Sequence, residues 1–199
     1  MNNISPKNIT DASIIQKLID MRNFTYHICL KILPCIAIRK VVKGASARAK
    51  LMQCQLPARY EYGEHTADIA VIAYGCTLEE AFANAALGVA NLTYYTDRVE
   101  AREFVEVNVE GEDLEQLLFN WIDEFIYLFD GRKFAYGDYF RDVRIEGSGP
   151  YRARAVVGGE HFDVNRHGYR GLIVKAMTYN MMEIGRVDNY WRLRFVVDI

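Results

Sequence analysis

The alternation of hydrophobic and polar residues after Pro57 predicts a series of β-strands. The clearest is FVEVNVEG (104–111), in which three valines alternate with polar residues as they do in a half-buried strand. Similar patterns predict strands within RYEYG (59–63), ADIAVIAYG (67–75), RDVRIEG (141–147), YRARAVVGGE (151–160), GLIVKAMTYNMME (171–183) and YWRLRFVVDI (190–199). The glycines interpreted as turn residues are Gly147, Gly149, Gly158 and Gly159.

Two amphipathic helices are predicted, each with a side-chain cap at its start. Glu80 follows Thr77 by three residues, and Gln116 follows Asp113 in the same way. At this spacing the two side chains satisfy backbone N–H groups that the first helical turn leaves free. The hydrophobic face of the first helix consists of Leu78, Phe82, Ala85, Val89 and Leu92. That of the second consists of Leu114, Leu117, Leu118, Trp121, Phe125 and Leu128, before Asp130-Gly131 ends the helix.

The order of these elements indicates the fold class. It is two strands, a helix, a strand, a helix and then four strands. A doubly wound parallel sheet needs strands and helices to alternate throughout, and this order does not. We therefore predict an α+β fold, a single domain over residues 58–199 in which a mostly antiparallel sheet packs against two amphipathic helices.

The charge is distributed unevenly along the chain. Residues 1–59 contain ten Lys and Arg against Asp11 and Asp20, whereas the rest contains fourteen basic and twenty-four acidic residues. Residues 1–57 are predicted to be a basic, poorly ordered extension. Its hydrophobic stretch at 24–38 is shorter than the roughly 20 residues that span a membrane. Cytoplasm or nucleus is the expected location, with mitochondrial or secretory targeting by the extension as the alternative.

The four cysteines show no metal-binding or redox spacing. They are therefore expected to be free thiols in a reducing compartment. The common catalytic motifs, GxSxG, GxxxxGK[ST], HExxH and GxGxxG, are absent from the sequence.

Two aspartates stand at the ends of hydrophobic strands, Asp68 at the start of one and Asp198 near the end of another. A carboxylate beside a hydrophobic sheet is costly unless it is paired, hydrogen-bonded or bound to a cation. With the carboxyl group of Ile199, the two side chains would form an all-oxygen set suited to Ca²⁺, Mg²⁺ or Mn²⁺. The alternative is that Asp198 pairs with Arg192 or Arg194 and that Asp68 caps a turn.

Two further features have competing interpretations. Lys175 interrupts the hydrophobic strand predicted at 171–183, and it is either a charge that protects an edge strand, the favoured interpretation, or a functional cation. The segment GGEHFDVNRHG (158–168) contains four residues that could suggest a metal cluster, namely Glu160, His161, Asp163 and His167. We interpret it as a polar connection, because zinc sites use closer sets of nitrogen and sulfur ligands.

Four separate segments together resemble the archease family. They are YEYGEHTADIAVIAYGCTLEEAFANAA (60–86), GEDLEQLLFNWIDEFIYLF (111–129), VKAMTY (174–179) and VVDI (196–199). The resemblance covers residues 60–199, and the extension has no counterpart in the family pattern. It implies metal ligation by Asp68, Asp198 and Ile199, with Ca²⁺ favoured over Mg²⁺ and Mn²⁺. It also implies a ligase-facing role for Lys175 and places Glu64 and His65 beside the metal-binding aspartate, with Glu64 standing where many relatives have aspartate.

The function implied by this resemblance is that of a non-catalytic protein cofactor. Archeases assist RtcB-type RNA ligases, which use GTP and Mn²⁺ to join a 2′,3′-cyclic phosphate or 3′-phosphate end to a 5′-hydroxyl in tRNA splicing. In animals the same ligase rejoins the messenger RNA of the unfolded-protein response. The cofactor promotes guanylylation and repeated turnover of the ligase. The implied partners are the ligase and its complex, with tRNA exon halves bound only indirectly and no direct binding of DNA or membrane.

Two other functions compete with this interpretation. One is a stand-alone metal-dependent hydrolase with Asp68 and His65 as acid–base partners, although the sequence offers no evident nucleophile. The other is a general chaperone or an RNA-binding module. The acidic body with no interleaved aromatic and basic residues disfavours direct RNA binding.

Overall fold

The computed structural model describes residues 54–64 and 68–199, which lie in the compact unit Gln53–Ile199. Except for residues 54–57, the predicted extension lies outside the described residues. The predicted disorder of that extension stays a prediction. Within the described ranges, no helix is long and hydrophobic enough to cross a membrane.

The order of elements is the one that the sequence predicts, with one short helix added. The elements are β1 (Tyr60–Glu64), β2 (Asp68–Gly75), α1 (Leu78–Thr93), β3 (Glu103–Gly111), α2 (Leu114–Asp130), β4 (Phe134–Gly147), β5 (Tyr151–His161), α3 (Val164–His167), β6 (Ala176–Val187) and β7 (Tyr190–Asp198). A 3-10 turn at Thr96–Arg98 follows α1. The predicted α+β class is confirmed.

The strands form two sheets, whereas a single sheet was predicted. One has the order β1-β2-β7-β6 and the other β3-β5-β4, and every pairing is antiparallel. Both long helices contact both sheets: α1 packs on β2, β7 and β4, and α2 on β3 and β6. This arrangement buries α1 nearly all round, because each sheet covers part of the helix.

The two long helices begin in the same way, and both predicted caps are confirmed. Thr77 and Asp113 accept hydrogen bonds from the backbone N–H groups of Glu80 (3.2 Å) and Gln116 (2.7 Å). The side chains of Glu80 and Gln116 in turn accept from the N–H groups of Cys76 and Glu112. A glycine ends the strand before each helix. A Cβ at Gly75 or Gly111 would overlap the backbone of the following helix, so only glycine allows such a tight connection.

The core between the sheets contains large aromatic side chains whose polar atoms are satisfied. The Trp121 indole donates to the carbonyl of Phe82 (3.0 Å). The Tyr94 hydroxyl accepts from the N–H of Tyr136 (2.9 Å) and donates to its carbonyl (3.0 Å). Across the described residues, no buried side-chain nitrogen or oxygen lacks a hydrogen-bond partner. The hydrophobic faces predicted for both helices are confirmed as parts of this core.

Two predicted strand boundaries and the interpretation of two glycines are wrong. β4 begins at Phe134 rather than near Arg141, because the residues after α2 pair at once with β5. Gly158 and Gly159 lie inside β5 and not in a turn. They are glycines because a Cβ at these positions would overlap the side chain of Tyr139 or the backbone of Ala135. Residues 171–175, predicted as strand, precede β6.

The expectation that all four cysteines are free thiols is also wrong. Cys54 and Cys76 form a disulfide, with 5.7 Å between their Cα atoms. The β1–β2 hairpin explains the pairing, because antiparallel strands bring the residues before β1 close to those after β2. The hydrogen bond from the Tyr74 N–H to the Arg59 carbonyl (3.0 Å) continues the hairpin toward the disulfide.

Candidate functional site

The start of β2 and the end of β7 lie side by side in the four-stranded sheet. Asp68 and Asp198 are directly opposite each other in the antiparallel register. Directly opposed residues project from the same face of a sheet, with Cα atoms about 4.5–5.5 Å apart. Both aspartates are half-buried. The two carboxylates that the sequence singles out are therefore neighbours, although some 130 residues separate them along the chain.

Lys175 joins this end of the sheet from a third segment. Its backbone N–H donates to the carbonyl of Asp198 (2.9 Å), and β6 begins at the next residue. Its side-chain Nζ donates to the backbone oxygen of Ile199 (2.7 Å). Lys175 thus stands just before an edge strand, as a protective charge would, and also contacts a residue of the candidate site.

The arginines proposed as alternative partners of Asp198 have another partner. Arg192 and Arg194 both contact Glu183 on the neighbouring strand, at 2.9 and 3.5 Å. The register explains this, because Glu183 is directly opposite Arg194. The other alternative, in which Asp68 caps a turn, involves residues 65–67, which lie outside the described ranges.

The donor atoms at this end of the sheet fit a hard cation. Two carboxylates in direct cross-strand register repel each other, and a divalent cation would neutralise both. Ile199, the residue after Asp198, supplies a further oxygen, which accepts a hydrogen bond from Lys175 Nζ. In the parts of the chain that are described, no group of three or more His, Cys, Asp or Glu side chains could hold a metal ion. A cation site here would therefore depend on backbone oxygen in addition to Asp68 and Asp198, and their role as ligands stays a prediction.

Two other predicted site residues are at the end of β1 and directly after it. Glu64 ends β1, where its backbone pairs with Ile69, but its side chain is not among the described groups. His65 lies in the gap between β1 and β2. The backbone of Glu64 is therefore at the same end of the sheet as the aspartate pair.

A second charged cluster, around Glu160 and His167, replaces the polar connection predicted at 158–168. Glu160 is 5% exposed, and His167 is fully buried. The carboxylate of Glu160 contacts Arg166 (3.0 Å), Arg102 (3.3 Å) and His167 Nε2 (3.1 Å), and it accepts from the N–H of Glu100 (2.8 Å). These contacts fix the end of β5 against α3 and the segment before β3.

Both ring nitrogens of His167 are hydrogen-bonded to other groups of the protein. Its Nδ1 accepts from the backbone N–H of Asp163 (3.0 Å), so Nε2 carries the hydrogen that Glu160 accepts. Asp163 also caps α3 through the N–H of Asn165. With both nitrogens engaged, His167 is a structural residue, and the weak metal interpretation of this segment loses its central ligand.

The pKa of Glu160 reflects this environment. Burial alone would raise the pKa of Glu160, but hydrogen bonds from the Glu100 N–H and His167, with the charges of Arg166 and Arg102, lower it below its ordinary value. The carboxylate is therefore held in its charged form by the chain's own groups.

The sequence of the described domain matches a known protein family. The model of the Archease protein family (MTH1598/TM1083) matches residues 60–199. The chain belongs to the archease family. Among archeases, the protein from Pyrobaculum calidifontis is 58% identical over 151 residues, covering 74% of this chain and 100% of the relative. The archease from Aeropyrum pernix is 48% identical over 149 residues, again covering 74% of this chain and 100% of the relative.

A solved structure supports the fold of the archease domain. The solution structure of Methanobacterium thermoautotrophicum protein 1598 is similar with a TM-score of 0.62 and 33% identity. The similarity covers 71% of this chain and 99% of that protein. The family match includes β2, β6 and β7, the strands whose ends form the candidate site, and it confirms the resemblance drawn from the sequence.

Proposed function

We propose that this chain is a metal-binding, non-catalytic protein cofactor of an RtcB-type RNA ligase. It would promote guanylylation and repeated turnover of that ligase in tRNA splicing and, where the substrate exists, in ligation of the unfolded-protein-response messenger RNA. Membership of the archease family supports this proposal. The observation that carries it is the direct register of Asp68 with Asp198, since this gathers two carboxylates at an accessible sheet end.

The residues that would hold the cation are Asp68, Asp198 and the carboxyl group of Ile199. A bound Ca²⁺, Mg²⁺ or Mn²⁺ would supply positive charge that neutralises the opposed carboxylates. Glu64 and His65 would adjust the orientation and charge of the aspartates from the adjoining corner. The all-oxygen donor set favours Ca²⁺ and the other hard cations over zinc.

Lys175 would act on the ligase rather than on the cation. Its ammonium is exposed and lies 2.7 Å from the Ile199 oxygen, at the same sheet end as the aspartates. From there it can contact a phosphate of GTP or a carboxylate of the ligase when the two proteins dock. In-line attack on GTP requires neutralised phosphates and correct positioning. A docked protein that supplies both would accelerate guanylylation without a nucleophile of its own.

The test is the guanylylation rate of a recombinant RtcB-type ligase in the presence of this chain and its variants. Asp68→Asn, Asp198→Asn and Lys175→Met should each lose most of the stimulation. Asp123→Asn and Lys133→Met are matched controls, since they remove an exposed carboxylate and an exposed ammonium at α2 and its C-terminal end, and they should stimulate fully. Full stimulation by all three site variants would overturn the proposal.

Omitting the ligase distinguishes the proposed cofactor function from the hydrolase alternative. The chain alone, incubated with GTP or with RNA ending in a 2′,3′-cyclic phosphate, should leave both unchanged. Metal-dependent hydrolysis that Asp68→Asn abolishes would favour the stand-alone hydrolase.

A further inference from the structure

The outer face of the three-stranded sheet is exposed and rich in charge. Along β3 and β5 the buried residues Val107, Ala153 and Ala155 alternate with exposed ones, and α2 packs on the buried side of β3. The exposed face is divided into rows by the register of the three strands. Neighbouring rows differ sharply in how their charges are compensated.

In one row the arginine has an acidic residue on each side. Arg152 in the central strand β5 is directly opposite Glu110 on β3 and Glu146 on β4. Its guanidinium Nε lies 2.8 Å from Glu110. Opposite charges in direct register stabilise a sheet, so this row has a structural explanation.

The next row is not balanced. Arg154 on β5 is directly opposite Arg144 on β4, with Asn108 on the other side. Like charges in direct register are destabilising. Arg154 reaches an acid only diagonally, at 3.8 Å from Glu146. For Arg144, no ion pair or hydrogen bond of the side chain is formed with any residue in the described ranges.

The backbone beside this row departs from regular pairing. The register of β4 with β5 shifts between Arg141 and Arg144, and Asp142 adopts a left-handed conformation with φ of 52°. Such a bulge redirects the side chains next to it. Arg144 and Arg154 consequently line a concavity of about 330 Å³, together with Asn108, Glu106 and Asp142.

We propose that Arg144, Arg154 and Asn108 form a binding site for the phosphate group of a nucleotide or of an RNA strand. Two guanidiniums side by side match the oxygens of a phosphate, which would convert their repulsion into two charge-assisted contacts. The amide of Asn108 adds a neutral donor. Glu106 and Asp142 at the edge accept hydrogen bonds from hydroxyl groups, as a ribose supplies. The chemistry is that of a phosphate ester with neighbouring hydroxyls.

The experiment is competitive binding to the full-length chain in EDTA, which removes any divalent cation. A fluorescent single-stranded oligoribonucleotide is the probe, and GTP and inorganic phosphate are the competitors. Arg144→Gln and Arg154→Gln should each weaken binding about tenfold, the effect of one lost charged hydrogen-bonding group. Arg152→Gln is the matched control on the same face, and it should change affinity by less than about twofold, because its charge is balanced by Glu110.

The competitors distinguish the source of the phosphate. Tight oligoribonucleotide binding, with a salt dependence that falls by roughly 0.7 in the log–log slope for each arginine removed, supports an RNA strand. Displacement by GTP at concentrations where the oligoribonucleotide binds only weakly supports a free nucleotide. Failure of all three ligands to bind the wild-type chain, or equal losses in Arg144→Gln and Arg152→Gln, would overturn the proposal.

Thermal unfolding provides a second readout that a purely structural role would not reproduce. In phosphate-free buffer Arg144→Gln should melt at or above the wild-type temperature, because repulsion from Arg154 is removed. Phosphate should then stabilise the wild type more than the variant. A variant that melts lower and responds equally to phosphate would overturn the proposal. Asp198→Asn should retain phosphate binding, so failure here is distinguishable from failure of the ligase-cofactor proposal.

Discussion

The carboxylates of this chain occur in two contrasting environments. Glu160 is buried beside Arg102, Arg166 and His167, so the chain itself supplies the positive charge that the carboxylate needs. Asp68 and Asp198 instead oppose each other across two strands, half-exposed at the end of a sheet. A carboxylate compensated by its own fold serves stability. Two carboxylates aligned against each other repel, and the proposed cation would supply positive charge between them.

Removing Glu160 should produce the largest effect on stability. Glu160→Ala leaves the buried His167 N–H without its acceptor and separates two arginines from their shared carboxylate. We expect the free energy of unfolding to fall by about 2–3 kcal/mol, less than for a fully buried ion pair because Arg102 and Arg166 can recover water. Urea denaturation at neutral pH measures the difference.

The control for this prediction is Glu100→Ala. Glu100 contacts the same two arginines, at 3.1 Å from Arg102 and 2.8 Å from Arg166, but it is exposed. Solvent screens such pairs, so the unfolding midpoint should stay close to that of the wild type. Equal losses in the two variants would mean that burial is not what distinguishes Glu160.

The acid side of the stability profile should also depend on Glu160. Its pKa is lowered in the folded state, so its stabilisation is present above its ordinary value of 4.5 and is lost as pH falls below 4.5 through the folded pKa. Glu160→Gln cannot lose a charge, so its unfolding midpoint should fall less steeply in this window. Urea midpoints measured across it for both proteins provide the test, and parallel profiles would contradict the assignment.

Replacing Asp198 should increase stability in metal-free buffer, whereas replacing Glu160 should decrease it. Asp198→Asn removes one of two opposed charges, so the free energy of unfolding in EDTA should rise by up to about 1 kcal/mol. With Ca²⁺ at 100 times its dissociation constant, the wild type should gain about 2.7 kcal/mol and the variant much less. Calorimetry with and without Ca²⁺ tests both. A variant less stable in EDTA would show that the Asp198 carboxylate stabilises this end of the sheet without a cation.

Lys175 should have the smallest effect on stability. Lys175→Met removes the hydrogen bond to the Ile199 oxygen, but this contact is exposed. The free energy of unfolding should change by less than about 0.5 kcal/mol. A larger loss of stability in thermal unfolding would show that Lys175 has a structural role, as Glu160 does, and would weaken its assignment as a ligase-facing residue.

The features predicted correctly from the sequence depend on local patterns. The caps at Thr77 and Asp113 and the hydrophobic faces that follow them are properties of neighbouring residues, and the structure contains both. The juxtaposition of Asp68 and Asp198 is not local, and their placement at strand ends does not specify which residues of the two strands pair. Their chemistry suggested a shared cation and the family resemblance implied the same ligands, and the β2–β7 pairing places the two aspartates opposite each other.

The features that the sequence did not predict depend on pairing between distant strands. The division into two sheets, the Cys54–Cys76 disulfide and the Arg144–Arg154 row all follow from register, which single-sequence patterns leave open. The sequence pattern did not predict the burial of Glu160, because its partners Arg102 and His167 lie on separate segments. A charged residue directly after the hydrophobic YRARAVVGG stretch was the available signal.

The central claim is that Asp68 and Asp198 hold a divalent cation with the carboxyl group of Ile199. Isothermal titration of Ca²⁺ into the metal-free, full-length chain tests it most directly, with Asp198→Asn as the test variant and Asp123→Asn as the control. We expect one site per chain in the wild type and the control, and binding at least about tenfold weaker in Asp198→Asn, because the site loses a charged ligand. Wild-type affinity in Asp198→Asn would contradict it.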